Sequence, residues 1–174
     1  MANKHTIIVI ASIAVIAATL GYSSLNLIYA KDLQFRWHQQ GSFDLLSIMF
    51  NGRLVVCNDS DYPTNFQKYS IQIFFDGQDL GTFTTHGAGV MPHGTTTISG
   101  NFETGDKQIS QMLFSSLNTA LNNNAAAARI DPSKMQVTTT LEAKVIGIIP
   151  FSITQQHTGA EFLEMMNQKT SCDK

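Results

Sequence analysis

An antiparallel β-sandwich carried behind one membrane-spanning helix is the fold class this sequence predicts, and three observations predict it. The run from Thr6 to Ala30, TIIVIASIAVIAATLGYSSLNLIYA, holds 25 residues without a formal charge. Beyond it the hydrophobic pattern has period two, the repeat of a strand with one face in a core. Between the alternating runs stand Gly, Asn, Asp and Pro in the combinations that make tight turns. The expected chain is therefore mostly β, with about seven strands, one or two helices and a preceding transmembrane helix.

The apolar run comes first. At 1.5 Å per residue it gives about 37 Å of helix, enough to cross a bilayer. Tyr22 and Tyr29 fall towards its far end, where amphipathic rings favour the interface, and Lys31, Asp32 and Arg36 close it. A cleaved signal peptide is the rival reading, because Lys4 precedes an apolar core. The small residues at Ala17-Ala18 lie inside the apolar stretch and Ala30 has Ile28 close before it, so an uncleaved anchor over 1–30 is the expectation. The Lys4 side is read as inside and the domain as outside, which puts the protein in the cell membrane as a single-pass chain with an extracytoplasmic domain.

After a juxtamembrane linker, 31–42, the domain is expected over 43–157. Tyr69, Ile71, Ile73 and Phe75 alternate with Ser70, Gln72 and Asp76, with Phe74 as the exception. Met135, Val137, Thr139, Leu141, Ala143 and Val145 alternate over an even longer stretch, as in a half-buried strand of an antiparallel sheet. Shorter strands are expected at 43–50, 54–57, 81–85, 95–102 and 148–154, with Asn51-Gly52 as a two-residue hairpin turn. Ile109, Met112, Leu113, Leu117, Ala120 and Leu121 lie on one stripe of a helix over 106–121 that would lid the sandwich. Residues 122–128, NNNAAAA, continue it or form a loop. In the last segment, 158–174, Thr158-Gly-Ala-Glu161 has capping-box spacing ahead of Phe162, Met165 and Met166, so a short helix and a tail follow.

Eleven Lys and Arg stand against 13 Asp and Glu, with no basic block to track a phosphate backbone, so nucleic acid is not the expected partner. Charged residues make up 14% of the chain, and solubility rests on neutral polar groups. Two cysteines, Cys57 and Cys172, are too few for a disulfide framework. The expectation is a buried thiol in a strand and a separate thiol in the tail, with one bridge as the alternative.

The stretch CNDSDYPTNF at 57–66 raises the one question of chemistry. Asn58, Asp59, Ser60 and Asp61 could converge on a cation, but a calcium loop needs glycine at its sixth position and a carboxylate at its twelfth. Counting from Asp59 these are Thr64 and Ser70. The turn reading needs side chains that bond their own backbone and a proline that fixes the approach, which Asn58, Asp59, Ser60, Asp61 and Pro63 supply. The turn is the reading adopted. Asn58-Asp59-Ser60 is formally a glycosylation sequon. His5, His38, His86, His93 and His157 share no short metal spacing, although His86 and His93 flank one glycine-rich turn and could meet in space. There is no G-x-S-x-G, no Cys/His nucleophile signature and no phosphate-cradling glycine loop, so no catalytic, cofactor or metal residues are assigned and an enzyme is not expected.

The order of these features is that of a known family. A strand ending VVCN, the turn DYPTNF, a strand KYSIQIFFDGQDLGTF, a glycine turn before MPHGTTTISGNF, a helix, a long alternating strand and then IIPFSI resemble the late-embryogenesis-abundant type 2 family, also called the WHy (water stress and hypersensitive response) domain. The resemblance covers about residues 43–157 and centres on F-x-D-G-x-x-L-G, here Phe74 to Gly81. Where the family has Asn-Pro this chain has Asn58-Asp59, with the proline displaced to Pro63. The resemblance implies a fibronectin-type-III-like sandwich of about seven strands, often membrane-tethered, with a non-catalytic role linked loosely to stress tolerance. The leading expectation is thus a structural or interaction module on the membrane. The alternative is a carrier or sensor for lipids or other apolar ligands, in which Phe74, Phe75, Phe83 and Phe102 would enclose a cavity.

Overall fold

The computed structural model describes residues 3–43, 47–106, 108, 111, 132–145 and 149–172. The described chain is mostly β. Helix α1 (Lys4–Ala30) leads into β1 (Gln34–Trp37), a short α2 (Ser47–Asn51) and β2 (Arg53–Asn58). Then come β3 (Thr64–Asn65), β4 (Lys68–Phe75), β5 (Gln78–His86), β6 (Gly89–Val90) and β7 (Gly94–Glu103). A single 3-10 turn (Pro132–Lys134) precedes β8 (Met135–Val145) and β9 (Ile149–Thr158), and α3 (Gly159–Asn167) follows. The expected helix over 106–121 and the run at 122–128 lie almost wholly outside the described residues.

Seven strands pair antiparallel in one curled, half-barrel sheet of order β1-β2-β7-β5-β4-β8-β9, with β3 and β6 as a separate two-stranded ribbon. The register follows the alternation in the sequence. Tyr69, Ile71 and Ile73 of β4 stand opposite Leu141, Thr139 and Val137 of β8, and all six are buried. Asp76 and Gly77 both take positive φ, 51° and 78°, which is the two-residue turn that matches strand twist and joins β4 to β5.

The two edges of the sheet, β1 and β9, are bridged by α3, whose Phe162 and Met166 are completely buried. Its start is the expected capping box. The Thr158 hydroxyl accepts from the Glu161 amide at 3.3 Å, and the Glu161 carboxylate accepts from the Thr158 amide at 2.9 Å. The bond from the Thr158 backbone amide, helped by the Thr158 side chain, holds the Glu161 carboxyl below the usual carboxylate range.

Three local expectations need correction. Residues 47–51 are helical, and not part of a strand over 43–50: β2 already has β1 on one side and β7 on the other, which leaves no ladder for another strand there. Asn51-Gly52 is accordingly a helix-to-strand join and not a hairpin turn; Gly52 is glycine because a Cβ would stand 2.1 Å from the Phe83 ring. The segment 31–42, expected as a linker, contains β1, in which Phe35 and Trp37 face the core. Phe35 stacks on Tyr69 with ring centroids 3.8 Å apart, so the chain is part of the packed domain within five residues of leaving α1.

Candidate functional site

The turn after β2 is organised by a buried amide. Asn58 is 2% exposed, and its Nδ2 donates to the carbonyls of Tyr62 at 2.8 Å and Val90 at 3.1 Å. Its Oδ1 accepts from the Ser60 amide at 3.2 Å and the Ser60 hydroxyl at 2.7 Å. The side chain therefore fixes the turn and ties it to β6. With both amide protons engaged indoors, Asn58 is not a glycosylation acceptor in the folded chain.

Asp59 and Asp61 do not join that network. They face the imidazole of His93 on the turn before β7, with Asp61 2.8 Å from Nε2 and Asp59 3.8 Å from Nδ1. The two ring nitrogens point in opposite directions, so the carboxylates flank the ring and do not converge. Among the described residues no three His, Cys, Asp or Glu side chains are grouped as metal ligands. His86 pairs in register with Lys68 of β4, and no hydrogen bond or ring contact joins it to His93 among the described residues. Replacing Asn58 with Ala removes the side-chain donor to the Val90 carbonyl and the acceptor of the Ser60 amide, while the Tyr62 carbonyl keeps the Ser60 and Thr64 hydroxyls; it should lower stability by about 2 to 3 kcal/mol, whereas Asp59→Ala should change it by less than about 0.5 kcal/mol, as thermal unfolding would read.

Cys57 and Cys172 are bridged, with Cα atoms 5.9 Å apart, so the expectation of two separate thiols is overturned. The bridge sits where β2 passes the tail: the Ser171 amide donates to the Gln34 side chain at 3.1 Å, and Gln34 donates back to the Ser171 hydroxyl at 2.9 Å. Burial of Cys57 concealed its partner, since nothing local in the sequence brings position 172 to β2.

The joint between helix and domain was not foreseen either. Asn26, 7% exposed, donates to the carbonyl and side chain of Asn65, both at 3.2 Å, and accepts from the Asn65 amide at 2.8 Å. Tyr29 stacks on Tyr62 with centroids 5.0 Å apart, and Ala30 is fully buried. The earlier part of α1 is bare: Ile7, Ile10, Val15, Leu20 and Tyr22 are exposed. The polar run Ser23, Ser24, Asn26 in the second half of the apolar stretch was the available signal that the helix changes surroundings there.

At the same end lies a cavity of about 240 Å³ between β1, β8, β9 and α3. Leu33, Leu141, Ile153 and Met165 form its apolar wall, and Arg36, Tyr69 and Gln155 supply polar groups. Arg36 donates through Nη1 to the Phe35 carbonyl at 2.9 Å, while its Nε is buried without an acceptor. Burial holds the Arg36 guanidinium below its ordinary pKa, only partly opposed by Tyr69, and burial pushes the Tyr69 phenol up. Among the described residues the four phenylalanines expected around a cavity are placed apart. Phe83 is sealed in the core, Phe75 and Phe102 pack against it, and Phe74 lines a separate cleft with Gln136, His157 and Glu161.

No family model and no curated protein matches the chain. Among solved structures it is similar to the crystal structure of a protein from Archaeoglobus fulgidus, with 12% identity over 72% of this chain and 94% of that one and a TM-score of 0.33.

Proposed function

We propose that the chain is a single-pass membrane protein that presents a β-sandwich of the late-embryogenesis-abundant type 2 kind on the extracytoplasmic side, in a non-catalytic structural or interaction role. The joint at Asn26, Tyr29 and Ala30 carries this reading. It divides α1 into a domain-bound end and a bare apolar part that is long enough and apolar enough to cross a membrane. From Lys4 to Tyr22 that part measures about 27 Å, close to the thickness of a hydrocarbon core.

The sandwich reading draws support from β7. Its residues Gly94 to Ser99 pair with β2, and Gly100 to Glu103 pair with β5, so one strand passes from one pairing partner to another as strands do at sandwich corners. The disulfide supports the outer side, because such bridges persist in oxidising compartments. Family membership, with its link to stress tolerance, rests on the order of motifs from VVCN to IIPFSI.

The reading predicts that the full chain stays with the membrane through a salt wash and that protease added to intact cells degrades the domain. Release of a chain shortened to start near Lys31, or protection of the domain, would overturn it. The cavity beside Arg36 favours a second reading, a carrier or sensor for an apolar ligand with an anionic head. Under it, native mass spectrometry finds a co-purified amphiphile that is lost in Arg36→Gln.

A further inference from the structure

We infer that the start of β9 is a second membrane contact, in which Ile149 and Phe151 enter the interface of the bilayer that holds α1. The inference rests on the anchor reading above. Its first support is direction. Leu141 of β8 shares a cavity with Ala30 and Lys31 at the end of α1, whereas Lys144 shares a cleft with Tyr22, Ser23 and Asn26. Three residues of strand advance about 10 Å. The same distance along α1 spans about seven residues, which leads back from Ala30 to Ser23. β8 therefore runs down α1 towards its bare apolar part.

Register then places the neighbours. Lys144 pairs with Pro150, Val145 with Ile149 and Ala143 with Phe151, so Ile149 and Pro150 sit at the level of Tyr22 or nearer the apolar part. Ile149 is 57% exposed and Phe151 39% exposed, and as alternate residues they share one face. Further along the strand, exposed positions of β9 carry Ser152, Thr154, Gln155 and Gln156 instead. The apolar pair is thus confined to the stretch that lies level with Leu20 and Tyr22, themselves exposed.

Chemistry favours lipid over a protein strand as the occupant. β9 is an edge strand, but Pro150 has no amide proton to add to a new ladder. Lys144, exposed on the other face opposite Pro150, has the reach to set its ammonium at the phosphate level.

The test uses the full chain in phosphatidylcholine vesicles carrying a shallow doxyl-labelled lipid. Trp37, the sole tryptophan, is 6% exposed and serves as the unquenched reference. In Ile149→Trp and Phe151→Trp the added emission should fall about twofold, since interfacial apolar faces lie some 5 to 10 Å into the headgroup and acyl boundary. Thr154→Trp, about 10 Å further along β9 than Phe151, should be quenched no more than the wild type. Quenching at 149 and 151 that equals the wild type in protein that floats with the vesicles overturns this inference and leaves the anchor standing. Protein that does not float overturns both.

Discussion

Opening the Cys57–Cys172 bridge should lower the unfolding free energy of the domain by about 3 to 5 kcal/mol. The bridge spans 115 residues, and chain entropy alone gives about 5 kcal/mol for a loop of that length as an upper figure. A domain of this size has about 5 to 15 kcal/mol in total, so reduction should bring it close to unfolding at growth temperature. The comparison is urea unfolding of the oxidised wild type, the wild type in reductant, and Cys172→Ser. The last keeps the buried Cys57 and removes only the tail's partner. Coincident curves for the oxidised and reduced wild type would refute the bridge. The effect should reach function as well: the tail carries Ser171, which bonds Gln34 of β1, so a released tail loosens the strand that follows the membrane joint.

The second large effect lies at the corner of the sheet. Gly100 follows the residue at which β7 leaves β2, and a Cβ there would stand 2.4 Å from Phe83 Cζ and 2.6 Å from the Thr84 carbonyl oxygen. From another side a Cβ on Gly52 would stand 2.1 Å from Cε2 of the same ring, and the Gly100 amide donates to the Gly52 carbonyl at 3.0 Å. Two glycines, one just before β2 and one within β7, thus make room for one fully buried phenylalanine. Gly100→Ala and Gly52→Ala should each destabilise by about 3 kcal/mol or more, through overpacking that the ring cannot relieve by turning. Trimming the ring separates them. Phe83→Leu should recover much of the loss in Gly52→Ala, whose three nearest clashes are with that side chain, and less in Gly100→Ala, which also meets backbone. Gly89→Ala, with nothing within 4 Å of its Cβ, should stay within about 0.5 kcal/mol of wild type. Additive losses in the double variants would show that Phe83 is not what the glycines accommodate.

What the sequence determined by itself is what repeats or closes locally. The bare half of α1 follows from composition, β4 and β8 from alternation, the Asp76-Gly77 turn from two residues that tolerate positive φ, and the start of α3 from the spacing of Thr158 and Glu161. In CNDSDYPTNF the turn was legible as well, because a side-chain amide can bond backbone two to four residues away. Its division of labour was not. Asn58 serves the turn, and Asp59 and Asp61 serve His93, because only the approach of the β6–β7 connection makes one side buried and the other exposed.

The tertiary structure alone decided the contacts between distant positions: Cys57 with Cys172, Asn26 with Asn65, and the two glycines with Phe83. It also decided which short apolar stretch became a strand. Gln34 to Trp37 took the edge beside β2, and 47–51, richer in apolar residues, was left to coil into a helix. The physical reason is common to all of these. A strand or a pairing is stabilised by whatever stands opposite, and for these residues the opposite partner lies 17 or more positions away or was settled by competition for one edge, so no local pattern carries it.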